Sequence, residues 1–174
     1  MLRPITPADE EWLYRIYAST REEELAALPW DAAQKEAFLR WQAALQHRWY
    51  QQQYAQASFQ LILWGEEPIG RLYVQRGAQE IRIIDIALLP AYRRRGIGTH
   101  LIQQLLAEGQ RAGLPVTIHV EQFNPALRLY QRLGFRPVAE HGVYLLMEWV
   151  SDGRSLGQPD QRGFRPLAES DLSS

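Results

Sequence analysis

A glycine-containing turn follows a long apolar stretch near the middle of the chain. The stretch runs over residues 81–89, and the sequence Arg93-Arg94-Arg95-Gly96-Ile97-Gly98-Thr99 comes shortly after it. A helical pattern continues from there, so this region predicts a strand, a turn and a helix. The first N–H groups of a helix lack intrahelical partners and attract anions, and glycine lets a phosphate approach the backbone. By itself, this spacing is typical both of a phosphate site and of an ordinary structural turn.

A second group of candidate residues lies further along the chain. Asn124 stands before Pro125, an arrangement that opens a helix, and Gly134 ends that helix. Tyr130 falls on the apolar face of the predicted helix. Tyr130 is therefore either a core aromatic residue or a phenol placed for proton transfer. Asn124 is either a helix cap or an amide that contacts a ligand.

The composition limits the classes of chemistry. The chain has 174 residues, 46% hydrophobic and 22% charged, as in a soluble domain with a sizeable core. A net charge of -1 gives no general attraction to nucleic acid or membranes. The absence of cysteine excludes disulfides, thiolate catalysis and cysteine metal ligands. We find neither a signal pattern nor an apolar run of the ~20 residues that span a bilayer, and we predict a cytoplasmic protein.

The periodicity of the apolar residues predicts the element order β-α-α-β-β-β-α-β-α-β-β. The first helix begins after Thr6 and runs to about residue 20. The second begins after Asp31, with Gln34 at the capping-box position, and runs to about residue 54. A solvated turn with three glutamates is predicted between them, at Glu22, Glu23 and Glu24. The predicted strands cover residues 2–5, 58–64, 69–75, 80–89, 115–120, 135–139 and 143–150.

The connections between these strands determine the predicted sheet. Three consecutive strands joined by short turns must be antiparallel, whereas the strand–helix–strand unit over residues 80–120 favours a parallel pair. The continuous apolar run at 81–89 indicates a central strand covered on both faces. We therefore predict an α/β fold, more closely an α+β arrangement, with a mixed and mostly antiparallel sheet, one parallel pair and helices on both faces.

The region of the second helix is dense in aromatic side chains, with Trp30 before its cap and Phe38, Trp41, Trp49, Tyr50 and Tyr54 along its predicted length. They could form a core face, the wall of an acceptor pocket or the face of a homodimer. After residue 150 the composition changes to glycine, serine, proline and charged residues. We predict one domain over residues 1–150 and a mobile tail over residues 151–174.

The segment from Arg93 to Gly98 resembles the R/Q-x-x-G-x-G/A signature of the GNAT superfamily of acyl-CoA-dependent N-acyltransferases. The segment from Asn124 to Phe135 is similar to the family's second motif, in which an asparagine and an alanine lead to L-Y-x-x-x-G-F. Two motifs in this order are far more specific than either alone. The resemblance covers residues 68–150 and implies a GNAT-like fold, in which the two parallel strands splay apart.

The resemblance implies where acetyl-CoA binds as co-substrate. Backbone N–H groups of residues 94–99 hold its pyrophosphate, and the arginines add positive charge. The strand edge at Ala87 and Leu88 pairs with the pantetheine amides, and Asn124 lies near the pantetheine arm. No metal is implied. The implied acetyl-CoA set is Ala87, Leu88, Arg93, Arg94, Arg95, Gly96, Ile97, Gly98, Thr99 and Asn124.

Tyr130 matches the tyrosine that serves many family members as general acid. In the implied reaction a neutral amine attacks the thioester directly, and the acid protonates the departing thiolate. A phenol with a pKa of about 10 suits a thiol with a pKa of about 8.5. The segment from Asn124 to Tyr130 is one residue shorter than the family pattern, which affects the expected contact of Asn124 more than that of Tyr130.

The base that deprotonates the amine is left open. Some relatives carry a glutamate on the strand before the glycine turn, but aligning the glycines puts Arg82 there, and arginine cannot serve as a base. Asp85 stands between two isoleucines and needs a partner, which Arg71 or Arg82 could supply. His119 could equally be structural. The candidates for the base are Glu80 and His119, together with Asp85 and Glu121.

These observations predict an N-acetyltransferase that moves an acetyl group from acetyl-CoA to a primary amine of a small molecule, peptide or protein. The alternative is a catalytically silent regulatory domain that binds acyl-CoA, because the expected glutamate is missing. Three adjacent arginines without a wider basic face are a poor nucleic-acid site. We therefore predict no nucleic-acid or membrane partner, and the acceptor amine stays open.

Overall fold

The computed structural model describes residues 1–151, so the predicted tail lies outside the described residues except for its first position. The described part contains the predicted order of elements with one additional short helix, α2. The strands are β1 (Leu2–Pro4), β2 (Ser58–Trp64), β3 (Glu67–Arg76), β4 (Ile81–Leu88), β5 (Val116–Glu121), β6 (Arg136–His141) and β7 (Tyr144–Trp149). The helices are α1 (Glu10–Ser19), α2 (Glu22–Ala26), α3 (Ala32–Gln53), α4 (Ile97–Ala112) and α5 (Leu127–Arg132).

Helix α2 corrects the prediction of a solvated turn at the three glutamates. Its Leu25 is buried against Tyr17 of α1 and Leu39 of α3, and burial of Leu25 in this small cluster stabilises the helical turn. The glutamates themselves occupy the first turn of α2, where a helix favours negative charge. The capping box of Asp31 and Gln34 at the start of α3 is confirmed.

The sheet has seven strands in the order β1-β2-β3-β4-β5-β7-β6. Only the β4–β5 pair is parallel, and the other neighbouring strands within residues 1–151 are antiparallel. The main core lies between the sheet and the helices α4 and α5. Helices α1 and α3 lie on the opposite face. The predicted mixed sheet with helices on both faces is confirmed.

Strand β4 bends away from β5 halfway along its length. Its pairs with β5 run from Ile81 opposite Val116 to Ile83 opposite Ile118 and then stop. A bulge at Ile84, between the β3 pairs of Ile83 and Asp85, accounts for the bend. The extra residue also turns Asp85 to the face of α1 and α3. The second half of β4 therefore borders a gap and is only half-buried, which corrects the prediction that both faces of the whole strand are covered.

Gly70 on β3 allows the end of β4 to pair closely. A Cβ at this position would lie 2.3 Å from the carbonyl oxygen of Ala87 and 2.8 Å from the Cδ2 of Leu88. We expect Gly70→Ala to lower the free energy of unfolding by about 1–3 kcal/mol, the usual effect of overpacking. Urea unfolding measures the change. The matched control is Gly77→Ala, whose new Cβ would be 3.4 Å from its nearest neighbour. Equal stability of the two variants would contradict the argument.

An ion pair between Arg3 and Asp9 joins β1 to the start of α1. Two hydrogen bonds from Arg3, at 2.7 and 2.8 Å, are the main cause that lowers the pKa of Asp9 to about 2, and Thr6 contributes further bonds. The folded pKa lies below the unfolded value of about 3.9, so this stabilisation is present above that pH and is lost as the pH falls toward about 2. We expect the urea midpoint to decrease over this range less steeply in Asp9→Asn than in the wild type. Identical slopes would exclude Asp9 as a cause.

Candidate active site

The turn between β4 and α4 presents backbone N–H groups to solvent. Arg94 and Gly96 both have left-handed backbone, with φ of 62° and 80°, and alternation of this kind aims successive N–H groups to one side. The N–H of His100 donates to the Gly96 carbonyl oxygen at 2.9 Å, which starts the helical ladder. Among residues 1–151, the N–H groups of 94–99 donate to no backbone acceptor outside the helix. This geometry suits an anion such as a pyrophosphate.

The three arginines of the turn do not point the same way. The Nε of Arg93 donates to the Leu88 carbonyl oxygen at 2.8 Å, and its Nη2 lies 3.4 Å from the backbone and side-chain oxygens of Ser19. Arg93 thus joins the end of β4 to the end of α1. Arg95 lies with its Cζ 5.5 Å from the centre of the Tyr92 ring. Arg94 and Arg95 are exposed beside the turn.

The open edge of β4 borders the gap left by the divergence of β5. Ala87 and Leu88 pair with Arg71 and Gly70 of β3 on one side, so their other edge faces the gap. The Leu88 carbonyl oxygen already accepts a hydrogen bond from Arg93. The backbone groups of β4 that a ligand could pair with are therefore those between the bulge and Leu88. An extended amide chain could add to such an edge as a further strand.

Tyr130 of α5 is 5% exposed and lies within the main core beside Phe135, with ring centres 5.8 Å apart. Burial is the main cause that raises the pKa of Tyr130 well above its usual value, and the Asp85 carboxylate adds to it. Tyr130 is therefore a protonated phenol at neutral pH. Both interpretations of the residue, core aromatic and proton donor, are compatible with this position.

Asn124 lies in the turn before α5 rather than in the helix itself. Its side-chain oxygen accepts a hydrogen bond from the Ala126 N–H at 2.9 Å, and its carbonyl accepts one from the Leu127 N–H at 3.0 Å. The prediction that Asn124 caps the helix is wrong, because the helix begins at Leu127 with Ala126 as its N-cap, and the Asn124 side chain closes the turn before it. Its contact with pantetheine stays a prediction.

Asp85 is held by Arg71, one of the two partners that the sequence analysis considered. The Nη2 of Arg71 donates to the Oδ2 of Asp85 and to Gln46 of α3, the latter at 2.8 Å. Arg71 is 6% exposed, so the pair is nearly excluded from solvent on that side. The position of Asp85 between two isoleucines predicted that it would need such a partner. Nothing in the sequence predicted that Gln46 would bind Arg71.

The two preferred base candidates lie in different places. Glu80 precedes β4 at the paired end of the strand, where it binds Arg82 at 2.9 Å and Thr117 at 2.9 Å. His119 lies on β5 just beyond the last pair with β4, and its ring centre is 5.7 Å from that of His141. Burial first, and then the positive charge of Arg82, lowers the pKa of His119 to about 3, so the ring is neutral at pH 7 and a weak base. Their roles stay predictions, and the placement of Glu80 does not favour it.

Two further properties concern ligands in the described part of the chain. Within residues 1–151, no three histidine, aspartate or glutamate side chains are grouped as a metal site would require. None of the helices in the same range is both long and apolar enough to cross a bilayer.

The gap between β4 and β5 opens beside a glycine turn whose N–H groups suit an anion. The model of the "Acetyltransferase (GNAT) family" matches residues 13–135, well over half of the chain. The chain therefore belongs to the GNAT acetyltransferase family.

Relatives and solved structures agree with this assignment. Mycothiol acetyltransferase of Corynebacterium glutamicum is 37% identical over 91 residues, which cover 48% of this chain and 30% of the relative. The N-alpha-acetyltransferase of Sulfurisphaera tokodaii is 31% identical over 97 residues, 53% of each protein. The chain thus spans about half or less of the curated relatives it matches.

Among solved structures, the paia N-acetyltransferase of Thermoplasma acidophilum in complex with coenzyme A superposes with a TM-score of 0.65 at 18% identity, covering 87% of this chain and 98% of that one. An acetyltransferase of Thermus thermophilus gives 0.61 at 22% identity, covering 87% and 96%. At these identities the likeness concerns the fold.

Proposed function

We propose that this protein transfers the acetyl group of acetyl-CoA to a primary amine. The observation that carries the proposal is the gap between β4 and β5, which opens beside the N–H groups of the glycine turn. Acetyl-CoA supplies an activated thioester. The backbone N–H groups of residues 94–99 bind its pyrophosphate, with Arg94 and Arg95 as the neighbouring charges. The open edge of β4 up to Ala87 holds the amide chain.

Tyr130 is the proposed general acid. In the transfer, a bond forms between the amine nitrogen and the acetyl carbon while the bond between that carbon and sulfur breaks. Tyr130 donates its proton to the departing sulfur, while the attacking nitrogen loses one proton to solvent or to a base and Tyr130 regains one from solvent. The products are the acetylated amine and the CoA thiol. The buried phenol is protonated at neutral pH, as this role requires.

We propose that the carboxylate of Asp85 attracts the incoming amine. Its carboxylate lies on the face of the sheet opposite the main core and borders the gap, and Arg71 holds it in place. A carboxylate at this point favours an ammonium group nearby before the amine loses its proton to solvent or to a base. The proton-accepting group itself is not assigned among Glu80, His119 and Glu121.

The proposal is tested by measuring thiol release from acetyl-CoA with a panel of primary amines that includes amino acids, polyamines and peptides with a free N-terminus. We expect binding of acetyl-CoA and release of thiol with at least one class of amine. The names of the curated relatives, a mycothiol acetyltransferase and an N-alpha-acetyltransferase, support acetyl transfer without identifying the acceptor. Protein that does not bind acetyl-CoA would overturn the proposal.

The silent regulatory domain gives a different result in the same assay, because it would bind acetyl-CoA without releasing thiol for any amine. The match of Tyr130 to the tyrosine that serves many family members as general acid favours the enzyme. We also propose a cytoplasmic location, since a cysteine-free chain that uses acetyl-CoA suits a reducing compartment.

A further inference from the structure

Residues 163–169 repeat the sequence that leads into β6. Residues 134–140 read G-F-R-P-V-A-E, and residues 163–169 read G-F-R-P-L-A-E. Six of the seven positions are identical, and the seventh exchanges valine for leucine. A match of this length is not expected by chance in a chain of 174 residues. The second copy lies outside the described residues, whereas the first has a defined place in the fold.

The first two residues of the repeat meet strict requirements in the described copy. Gly134 has a left-handed backbone with φ of 99°, and a Cβ on it would lie 3.2 Å from the Cδ1 of Trp149. Glycine is therefore the residue that fits this position. Phe135 is 2% exposed and belongs to the main core. The second copy has the same two residues, Gly163 and Phe164, at the corresponding positions.

The difference between the two copies falls at an exposed position. Val138 is 39% exposed and is the extra residue of a bulge between the β7 pairs of Pro137 and Ala139. A leucine at this position need not disturb the core. Residues 163–169 therefore have the side chains to occupy what we call the β6 slot, which is the edge of β7 that β6 pairs with, together with the sites of Gly134 and Phe135.

Strand β6 lies at the end of the sheet, beside β7. Within residues 1–151, β7 is the one strand that pairs with β6, so β6 can leave its slot without breaking any other strand pair. Its departure would expose the N–H and C=O groups along one edge of β7. An edge of this kind pairs with another segment of suitable sequence and direction.

The direction and length of the chain allow the second copy to reach the slot. Strand β6 is antiparallel to β7 and begins with Arg136 opposite Glu148, near the end of β7. A segment that follows β7 and turns back is also antiparallel to it and enters the slot from the same end. Thirteen residues, 150–162, separate Trp149 from the second copy. They can extend over about 40 Å, whereas neighbouring strands are about 5 Å apart.

The connections favour β6 as the usual occupant. Only Gly142 and Val143 separate β6 from β7, so closing this hairpin costs less entropy than closing the thirteen-residue connection to the second copy. Strand β6 also places the His141 ring 5.7 Å from that of His119, and the second copy has a serine at the corresponding position. The second copy should therefore occupy the slot in a minority of molecules, and in more of them when β6 is weakened.

We propose that residues 163–169 are a second occupant of the β6 slot, within the same chain, and exchange with β6 on the edge of β7. The exchange acts on Tyr130 through the residues that leave. The N–H of Phe135 donates to the Tyr130 carbonyl oxygen at 3.0 Å, and the two rings pack together. When β6 leaves, α5 loses this support and Tyr130 loses its position. An effect on acetyl transfer rests on the proposed function, whereas the exchange itself does not.

The first test is a double-mutant cycle measured by urea unfolding of the full chain. Phe164→Ala alone should leave the urea midpoint unchanged, because β6 occupies the slot. Phe135→Ala weakens β6, and adding Phe164→Ala to it should lower the midpoint by a further amount of about 0.5 M or more. The matched control is Leu156→Ala, at an apolar residue of the same region outside the repeat, which should change neither background.

The second test traps the exchanged state and does not need Phe135→Ala to fold. The chain has no cysteine, so an engineered pair is free of competing thiols. Ala139 lies opposite Leu146 of β7, and Ala168 is its counterpart in the second copy. Facing residues of antiparallel strands are close enough for a disulfide. We expect Leu146→Cys with Ala168→Cys to form a disulfide within one chain, detected by mass spectrometry of an unreduced digest.

Two further cysteine pairs serve as controls. Leu146→Cys with Ala139→Cys should link readily, because it joins β7 to β6 itself. Leu146→Cys with Ser155→Cys joins β7 to a residue outside the repeat, and it should link at least about tenfold more slowly than the pair with Ala168→Cys. The form linked through Ala168→Cys should lose acetyl transfer, and the form linked through Ala139→Cys should keep it.

The outcomes separate this proposal from the proposed function. Failure of the Ala168→Cys pair to link, linkage between chains alone, or linkage no faster than the Ser155→Cys pair would each overturn the exchange. An unchanged midpoint when Phe164→Ala is added to folded Phe135→Ala would overturn it as well. Full acetyl transfer in the form linked through Ala168→Cys would overturn the effect on Tyr130. Wild-type protein that does not bind acetyl-CoA would overturn the proposed function alone, because linkage is measured without acetyl-CoA.

Discussion

Replacing Tyr130 by phenylalanine should lower kcat by about 10²–10⁴, the usual contribution of general acid catalysis, and leave the affinity for acetyl-CoA unchanged. The buried phenol stays protonated because burial and the nearby Asp85 carboxylate both disfavour its ionised form. Without the hydroxyl group, the thiolate must leave unprotonated, which raises the barrier for breaking the carbon–sulfur bond. The aromatic ring that packs against Phe135 is kept, so the fold should be retained.

The measurement is thiol release at saturating acetyl-CoA with an amine that the panel identifies, together with calorimetry of acetyl-CoA binding. Tyr54→Phe is the matched control, since Tyr54 is also a buried tyrosine, at 7% exposure, but lies at the end of α3. The control should retain wild-type turnover. If Tyr130→Phe retains it as well, Tyr130 serves only the core.

The second large effect is expected at the first glycine of the turn. Gly96 has φ of 80°, and a left-handed conformation of this kind costs a residue with a Cβ about 1–2 kcal/mol. Gly96→Ala should therefore disturb the N–H groups that bind the pyrophosphate and weaken acetyl-CoA binding by at least about tenfold. Among the described residues, no atom lies within 4 Å of the new Cβ, so a clash with them is not the cause.

Gly113→Ala is the matched control, at the opposite end of α4 from the glycine turn. Gly113 also has a left-handed backbone, with φ of 67°, and no described atom lies within 4 Å of the new Cβ. The backbone strain is therefore of the same kind, about 1–2 kcal/mol, but it falls outside the proposed pyrophosphate site. We expect Gly113→Ala to lose stability and to retain acetyl-CoA binding. Equal binding by Gly113→Ala and Gly96→Ala would contradict the role of backbone conformation at Gly96.

Several features of the protein depend on local chain signals, and these were predictable. The capping box at Asp31, the apolar face of α4 and the strands around each turn follow from residue types a few positions apart. The order of elements then leaves few topologies, and the parallel pair follows from the crossover through α4. The glycine turn and the helix with Tyr130 were likewise recognisable as motifs.

Tertiary structure decided which partners the polar residues take. From the sequence, Arg71 and Arg82 were both possible partners for the Asp85 carboxylate. The bulge at Ile84 and the register of β3 place Arg71 next to it. Arg93 reaches Ser19, 74 positions away, because α1 ends beside the end of β4, and its role beside a phosphate stays a prediction.

The sequence by itself thus determined the class of fold, the glycine turn and the candidate acid Tyr130, because helices, strands and turns are encoded by short-range patterns. Only the tertiary structure decided how far β4 and β5 stay paired and which side of β4 carries Asp85. Those features depend on one bulge and on the packing of distant elements. When strand register shifts by one residue, a side chain faces a different partner on the neighbouring strand. No local sequence pattern encodes that shift.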